Sequence, residues 1–243
     1  MPDERTLDEQ TEEATEEMVE DTRTLTQMVN DIRGEVVVWL SDHNIFKRAT
    51  ATNKVFALLE KDFPSNTDIP SVYVKKLWQK YMDLPERLRN NALNGYVFEA
   101  IIITTLLKEG IRPLYTQTNL AFIPNVNYDI VVFPRKEDGT VDVSAPVVIS
   151  LKTSLRERYK QADLEGIALK NVYKRASSYL ITLDDEEEIA LNQEKIKQRD
   201  ILGIDDFINA GTEAFDELVA KLKGRTVTEP PQIQVIENPH IIE

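Results

Sequence analysis

Three ionisable residues have the types and spacing that phosphodiester hydrolysis requires: Asp129, Lys152 and Glu165. Lys152 directly follows the short strand-like run 147–151, and Glu165 lies thirteen positions further along the chain. Carboxylates are preferred ligands of a hard divalent cation, and a lysine ammonium offsets charge on a phosphate. The set therefore predicts a metal-dependent phosphodiesterase site, provided that the fold brings the three side chains together.

Two bounded runs of apolar, mostly β-branched residues predict the strands that would carry this site. Residues 127–133 end before Pro134, and residues 147–149 begin after Pro146. Proline at such boundaries, with β-branched residues between them, favours strands. The Asp-Gly pair that ends at Gly139 is a turn signal, so the two strands are expected to form a hairpin.

The hairpin register decides whether Asp129 and Lys152 meet. A turn centred near residues 139–140 places Asp129 opposite residues 150–152. Strand side chains alternate between the two faces of a sheet, so Ser150 and Lys152 are expected to point the same way. A slip of one residue would send Asp129 to the other face, which makes the register the critical assumption.

A helix is expected directly after the second strand, over residues 155–176. Ser154 is a suitable N-cap, and Glu157 three residues later would complete a capping box. Residues three, four and seven apart share a helical face. One such face carries Arg158, Gln161 and Glu165. This face would bring a second carboxylate to the strand ends.

A magnesium ion suits the donors that would then converge. Mg²⁺ typically binds one or two carboxylates and keeps several waters, which matches Asp129 and Glu165. Lys152 is expected to position or activate the attacking water and to offset charge on the phosphate. Taken alone, each residue is better explained as an edge, strand-end or surface residue. The hypothesis depends on their order along strand, hairpin, strand and helix.

Glu99 is a fourth candidate, on a helix expected over residues 86–110. Its neighbours within residues 96–103 are mostly apolar, and Gly110 is a natural helix end. A buried carboxylate is costly unless it is paired or reaches a polar site. Glu99 therefore belongs either to the metal site or to the solvated face of an amphipathic helix, and the sequence leaves both alternatives open.

These residues resemble the PD-(D/E)XK nucleases, and in particular the type II restriction endonucleases. In the usual signature an acid stands two residues before the lysine, whereas Ser150 occupies that place here. A subset of the family carries this acid in the following helix, where Glu165 lies. Residues 152–161 also resemble the corresponding Lys-Thr-Thr/Ser…Arg-aromatic-basic-Gln stretch of such enzymes. Tyr128 replaces a signature proline that is not a ligand, and the resemblance covers roughly residues 87–183.

The resemblance implies an α/β fold, with a restriction-endonuclease-like core whose mixed central sheet is flanked by helices, plus a helical N-terminal region. It implies a Mg²⁺-dependent endonuclease that cleaves both strands of double-stranded DNA at a short specific site. A homodimer is expected, because two-fold symmetry lets one chain contact a palindromic site twice. A DNA methyltransferase is the expected functional partner.

The resemblance also implies roles for individual residues. Asp129 and Glu165 would bind the metal, and Lys152 would act on water and phosphate. Glu99 would be an additional ligand, since a helix before the first core strand often supplies an acid in this family. The residues expected to contact DNA, line the site or hold Glu165 in place are Ser150, Ser154, Arg156, Arg158 and Gln161.

The charge distribution is compatible with DNA binding although the net charge is -13. Residues 1–35 hold 12 acids and 3 bases, and residues 183–243 hold 15 acids and 6 bases. Residues 36–182, in contrast, hold 20 bases and 15 acids, for a net charge of +5. DNA binding depends on neutralising phosphates, so this middle segment is the expected DNA-binding part.

Other classes of chemistry are disfavoured by what the chain lacks. It has no cysteine, which excludes disulfides, zinc–thiolate sites and thiol nucleophiles. Its two histidines, His43 and His240, lie far apart in sequence, so histidine general-base chemistry is a poor explanation. There is no apolar run long enough to cross a membrane and no basic-then-apolar leader, so we expect a cytoplasmic protein.

The expected organisation has three parts. A helical N-terminal region with an acidic start covers residues 1–85, the nuclease core covers residues 86–183, and a helical extension with a tail covers residues 184–243. A helix is expected near residues 205–222 of the extension. Two alternative functions remain open: a DNA repair or junction-resolving nuclease with the same core, and a non-enzymatic acidic DNA mimic.

Overall fold

The computed structural model describes most of the chain from residue 68 onward. The described residues are 68–83, 91–111, 114–156, 158–223, 236–237 and 240–242. The chain divides between residues 64 and 65 into two units, and all described residues belong to the second. Most of the N-terminal region expected for residues 1–85 therefore lies outside the described residues, as does Glu157 of the expected capping box.

A mixed sheet forms the centre of the described part. Its principal strands are β1 (Leu114–Leu120), β2 (Tyr128–Val132), β3 (Val147–Leu151), β4 (Ser177–Thr182) and β5 (Asp206–Asn209). They lie in the order β5-β4-β3-β2-β1. The β1–β2 and β2–β3 pairs are antiparallel, whereas β3–β4 and β4–β5 are parallel. The short strands β6 (Ile236–Glu237) and β7 (His240–Ile242) also pair with β1.

Helices connect and flank these strands. In the described part they are α1 (Pro70–Met82), α2 (Asn91–Lys108), α3 (Tyr159–Val172), α4 (Glu186–Lys197) and α5 (Glu213–Lys223). α3 and α4 are the crossover connections that the parallel pairs β3–β4 and β4–β5 require. The expected α/β fold with a mixed central sheet flanked by helices is thus confirmed. None of the described helices is long and apolar enough to cross a membrane.

The hairpin between β2 and β3 has the predicted register. Ile130 on β2 pairs with Ile149 on β3. One step further along this antiparallel register, Asp129 stands opposite Ser150. Gly139 lies in the connecting turn with φ 83°, a conformation that glycine adopts without strain. The prediction that Asp129 faces the end of the second strand is therefore confirmed.

Helix α2 is buried on nearly all sides. Every residue from 97 to 107 is buried, including Glu99, which is 8% exposed. The helix ends at Lys108, and Gly110 follows with φ 78°, as is common just after a helix. The helix is confirmed from Asn91 to Lys108, whereas residues 86–90 of the expected helix lie outside the described residues. The alternative that Glu99 lies on a solvated face is wrong.

Helix α3 begins later than the sequence predicts. Its first residue is Tyr159, with Arg158 as the N-cap, and its last residue is Val172. The prediction that Ser154 caps a helix starting at residue 155 is therefore wrong. The strand and the helix are instead separated by a non-helical junction.

A buried turn explains why the helix cannot start earlier. Leu155 is fully buried, and its N–H donates to the carboxylate of Asp184, which follows β4. Arg156 has φ 33°, outside the range of a right-handed helix. The junction is thus held by a partner far away in sequence, which local capping patterns do not reveal.

The helix expected over residues 205–222 is wrong in its first part. Residues 206–209 form strand β5, and helix α5 starts only at Glu213. The carboxylate of Asp205 accepts the N–H of Ser178 at 2.7 Å, and Phe207 is buried. Pairing with β4 satisfies backbone groups that a helix would have bonded internally. The sheet consequently continues beyond residue 183, the expected end of the core.

Candidate active site

Asp129 and Lys152 meet at the open end of the β2–β3 hairpin. Asp129 is the second residue of β2, and Lys152 follows Leu151, the last residue of β3. One oxygen of Asp129, Oδ2, lies 3.3 Å from Lys152 Nζ and accepts the Leu151 N–H at 2.8 Å. The Lys152 and Asp129 side chains are 18% and 22% exposed, so the pair is partly desolvated but open to solvent.

Glu99 reaches the same cluster from helix α2. Its Oε1 accepts a hydrogen bond from Gln117 Nε2 at 2.9 Å. The same nitrogen donates to the second oxygen of Asp129, Oδ1, at 3.3 Å. A single side-chain amide on β1 therefore joins the carboxylates of α2 and β2.

Glu165 approaches from helix α3. Its Oε1 accepts a hydrogen bond from Gln161 Nε2 at 2.7 Å, as expected for a residue one turn earlier on the same face. The hydroxyl of Tyr128 donates to the Glu165 backbone carbonyl at 3.3 Å and ties this turn of the helix to β2. Of the two roles predicted for Gln161, contacting DNA or holding Glu165, this hydrogen bond matches the second, and the first stays a prediction.

The cluster carries more negative charge than Lys152 balances. Burial and the neighbouring charge of Asp129 raise the pKa of Glu99 to about 7, although Gln117 and Lys152 act in the opposite direction. Burial also raises the pKa of Glu165, against the bond from Gln161 and the charge of Lys152. A bound cation would favour the ionised form of both acids.

The chemical types of the available donor groups suit a magnesium ion. Glu99 and Asp129 supply two carboxylates in one place, and Mg²⁺ needs only one or two together with water. Within the described ranges, no three His, Cys, Asp or Glu side chains are gathered closely enough to form a metal-binding group by themselves. The Glu99–Asp129 pair is thus the more direct candidate, and Glu165 interacts with Lys152 and Asp129 through charge.

The remaining predicted site residues lie at or near the junction between β3 and α3. Ser150 is 4% exposed and stands opposite Asp129, in accordance with its predicted place lining the site. Ser154 is half-buried, and Arg156 and Arg158 are exposed. A DNA contact by any of these side chains stays a prediction.

Sequence reasoning missed two residues that organise the site, Gln117 and Asp184. Gln117 lies in the strand Leu-Tyr-Thr-Gln-Thr-Asn-Leu, where a polar residue among other polar residues carries no distinguishing signal. Asp184 holds the turn that follows Lys152, and its own backbone carbonyl accepts a bond from Asn209 Nδ2 at 2.6 Å. Both act through contacts between segments that are distant in sequence.

A polar cavity of about 690 Å³ lies at the other end of the hairpin. Its lining includes Arg135, Asp142 and Arg175, and none of the predicted site residues. Arg175 Nη1 lies 2.9 Å from the Asp142 carboxylate, so these two charges of the lining are paired with each other. The cavity and the cluster of Asp129 and Lys152 are therefore separate features of the same hairpin.

Comparisons with known proteins assign no family to this geometry. The chain matches no protein-family model, no curated protein and no solved structure. The resemblance to nucleases therefore depends on the residues themselves and on the positions that they occupy.

Proposed function

We propose that this chain is a Mg²⁺-dependent type II restriction endonuclease with a restriction-endonuclease-like core. The observation that carries the proposal is the meeting of Glu99, Asp129 and Lys152 at the open end of the β2–β3 hairpin. Glu165 interacts with this group through charge. The reaction is hydrolysis of a phosphodiester bond in each strand of a short specific site in double-stranded DNA.

The acids and the lysine divide the chemistry between them. Asp129, Glu99 and Glu165 would hold the metal ion. When bound, Mg²⁺ offsets negative charge on the reacting phosphate and makes a bound water more acidic. The Lys152 ammonium orients the attacking water or contacts a phosphate oxygen, and Asp129 keeps that ammonium in place at 3.3 Å.

The residues of the β3–α3 junction would bind the DNA. Arg156 and Arg158 are exposed cations in the junction that follows Lys152, suited to phosphate contacts that set the position of the duplex. Ser150 and Ser154 would line the site, and Gln161 holds Glu165 beside it.

The biological setting follows from this reaction. A cytoplasmic homodimer would present two such sites to the two strands of a palindrome. A DNA methyltransferase that protects the same sequence would be its functional partner. Two-fold symmetry in the cleavage pattern is therefore part of the proposal.

Plasmid digestion tests this function. Supercoiled plasmid is incubated with the full chain in MgCl₂ or in EDTA, and with a Lys152→Ala variant. Lys170→Ala is the matched control, because this helix α3 lysine pairs with Asp205 at 2.7 Å instead of with the acids of the cluster. We expect discrete fragments from the parent and the control in Mg²⁺ only, and none from Lys152→Ala.

The other outcomes distinguish the alternatives. A smear, or nicking that depends on DNA structure, would favour a repair or junction-resolving nuclease. No Mg²⁺-dependent cleavage of any substrate would overturn the proposal. It would favour an acidic DNA mimic, for which the net charge of -13 is the supporting observation.

A further inference from the structure

The side-chain amide of Gln117 joins the two nearest candidate metal ligands, Glu99 and Asp129. Its Nε2 lies 2.9 Å from Glu99 Oε1 and 3.3 Å from Asp129 Oδ1. Both are carboxylate oxygens that a metal bound to this pair would use. The other Asp129 oxygen is already occupied by the Leu151 N–H and by Lys152.

The amide of Gln117 is held in a defined orientation. Its Oε1 accepts a hydrogen bond from Asn127 Nδ2 at 3.1 Å, which directs the nitrogen toward the acids. The backbone of Gln117 has φ 46°, which is uncommon for a residue other than glycine and more so inside a strand. Such backbone strain persists where the surrounding structure determines it, and it is frequent at functional sites.

We propose that Gln117 is a placeholder for the metal ion. In the metal-free protein its amide N–H groups bridge Glu99 and Asp129, and these two bonds are given up when a divalent cation enters. The inference rests on the proposed function, because it assumes that these acids bind the ion.

The physical basis is competition for the same lone pairs. The amide hydrogens carry partial positive charge, so they reduce the repulsion between two neighbouring carboxylates without neutralising them. A cation that binds both oxygens takes over this role and also repels the amide hydrogens. Gln117 therefore stabilises the metal-free state selectively.

Thermodynamic linkage predicts the sign of the change in metal affinity that loss of the Gln117 amide should cause. Loss of the amide raises the free energy of the metal-free protein and leaves the metal-bound protein unchanged, so metal binding becomes tighter. A residue that merely holds the ligands in position gives the opposite sign, because its loss weakens metal binding. A residue whose bonds are equal in both states leaves the affinity unchanged.

The test uses Gln117→Met, which keeps the side-chain length and removes both donors. MgCl₂ and MnCl₂ are titrated calorimetrically into the EDTA-stripped full chain without DNA. We expect both metals to bind about tenfold tighter than to the parent, the size of one charge-assisted hydrogen bond lost from the metal-free state. Urea denaturation should show a less stable variant without metal, and equal stabilities at saturating MgCl₂.

Two further variants keep the test decisive. Asn119→Ala removes another amide from the same strand, one bonded to the Val126 carbonyl at 2.7 Å, and should leave metal affinity unchanged. Gln117→Gly removes the donors and also relieves the positive φ, so it supplies a folded variant if the methionine is not tolerated.

The possible failures are distinguishable. Equal or weaker metal binding by the folded Gln117 variants overturns the placeholder and leaves the nuclease proposal standing. Absence of metal binding by the parent, with the same titration curve for Asp129→Ala, overturns both.

Discussion

Asp142 and Glu99 are both buried carboxylates of the same domain, yet their surroundings differ in kind. Asp142 is 3% exposed and Glu99 is 8% exposed. Asp142 accepts the backbone N–H of Ser144 at 3.2 Å and its hydroxyl at 2.6 Å, and pairs with Arg175 at 2.9 Å. Glu99 accepts an amide bond from Gln117, which it shares with another acid, Asp129.

The consequences for ionisation are opposite. Burial by itself would raise the pKa of Asp142, but the bonds from Ser144 and the charge of Arg175 bring it below its ordinary value. Burial and Asp129 raise the pKa of Glu99 to about 7. A buried carboxylate whose charge is balanced by hydrogen bonds and a cationic side chain stabilises the fold. A buried carboxylate that lacks this balance and lies beside a second acid indicates a site for a cation. The hairpin thus separates a structural end from a candidate catalytic end.

Replacing one basic residue at each end of the β2–β3 hairpin should give the largest difference in cleavage rate between the two ends. Lys152→Ala should lose more than about a hundredfold in cleavage rate, because charge stabilisation at the phosphate is lost. Its folding should be intact and it should still bind the specific DNA. Arg175→Ala should cleave normally and lose about 1 kcal/mol of stability, since the Arg175 side chain is itself largely exposed and Asp142 keeps both bonds from Ser144. Single-turnover cleavage and urea denaturation measure the two effects.

Asp129→Ala should behave as Lys152→Ala does in the cleavage assay. Both side chains are partly exposed to solvent at the open end of the β2–β3 hairpin, so neither change should unfold the protein. A variant that still cuts within about tenfold of the parent, a barrier change of ~1.4 kcal/mol, would show that the assigned role is wrong.

Glu165→Ala tests whether the second acid has moved from the strand to the helix. This variant should be inactive, because a metal-binding carboxylate is lost. Adding Ser150→Glu places an acid opposite Asp129 and should restore measurable Mg²⁺-dependent cleavage of plasmid. A fully active Glu165→Ala would contradict the relocated acid and return its role to Glu99 or Glu157.

The pH dependence of stability should separate Glu99 from Asp142. The pKa of Glu99 is higher in the folded protein than in the unfolded chain. Its contribution to the free energy of unfolding is therefore fully present below the unfolded-state pKa and is lost as pH rises through about 7. In EDTA, Glu99→Gln should therefore become more stable relative to the parent between about pH 5 and about pH 8, by up to about 3 kcal/mol.

Asp142→Asn is the control for this comparison. The folded pKa of Asp142 is lowered, so its contribution is lost only as pH falls below the ordinary aspartate range. Urea denaturation across the same pH interval should give a constant difference from the parent. A constant difference for Glu99→Gln as well would contradict the undercompensated carboxylate.

The smallest effects are expected from exposed cations. Arg156→Ala and Arg158→Ala should each weaken specific and non-specific DNA binding alike, and should reduce the salt slope of binding by about 1. Lys136→Ala, at the structural end of the hairpin, should leave the slope unchanged. Fluorescence anisotropy over a range of salt concentrations measures all three, and an equal effect of Lys136→Ala would contradict the assigned DNA-binding face.

The hairpin was predictable because its determinants are local. Two β-branched runs and an Asp-Gly turn specify a register, and this register brought Asp129 to the end of β3 as expected. The helical spacing of Gln161 and Glu165 is local in the same sense, and their hydrogen bond follows from it.

Errors arose where a distant segment replaced a local partner. Ser154 has the right type for an N-cap, but the Asp184 carboxylate holds the Leu155 N–H and delays the helix. The local pattern of residues 206–209 predicts part of a helix, but pairing with β4 makes them a strand. Local helix and strand propensities amount to about a few tenths of a kcal/mol per residue. Side-chain hydrogen bonds and sheet pairing between distant segments outweigh them.

The sequence by itself determined which acids and which lysine could form a site, and the order in which strand, turn and helix present them. Only the tertiary structure decided that Glu99 is buried against Asp129 and that Gln117 bridges the two. Local patterns act over a few residues, whereas these contacts join α2, β1 and β2 across the core. The burial and shared amide that distinguish Glu99 from an ordinary helix residue exist only once those elements have packed.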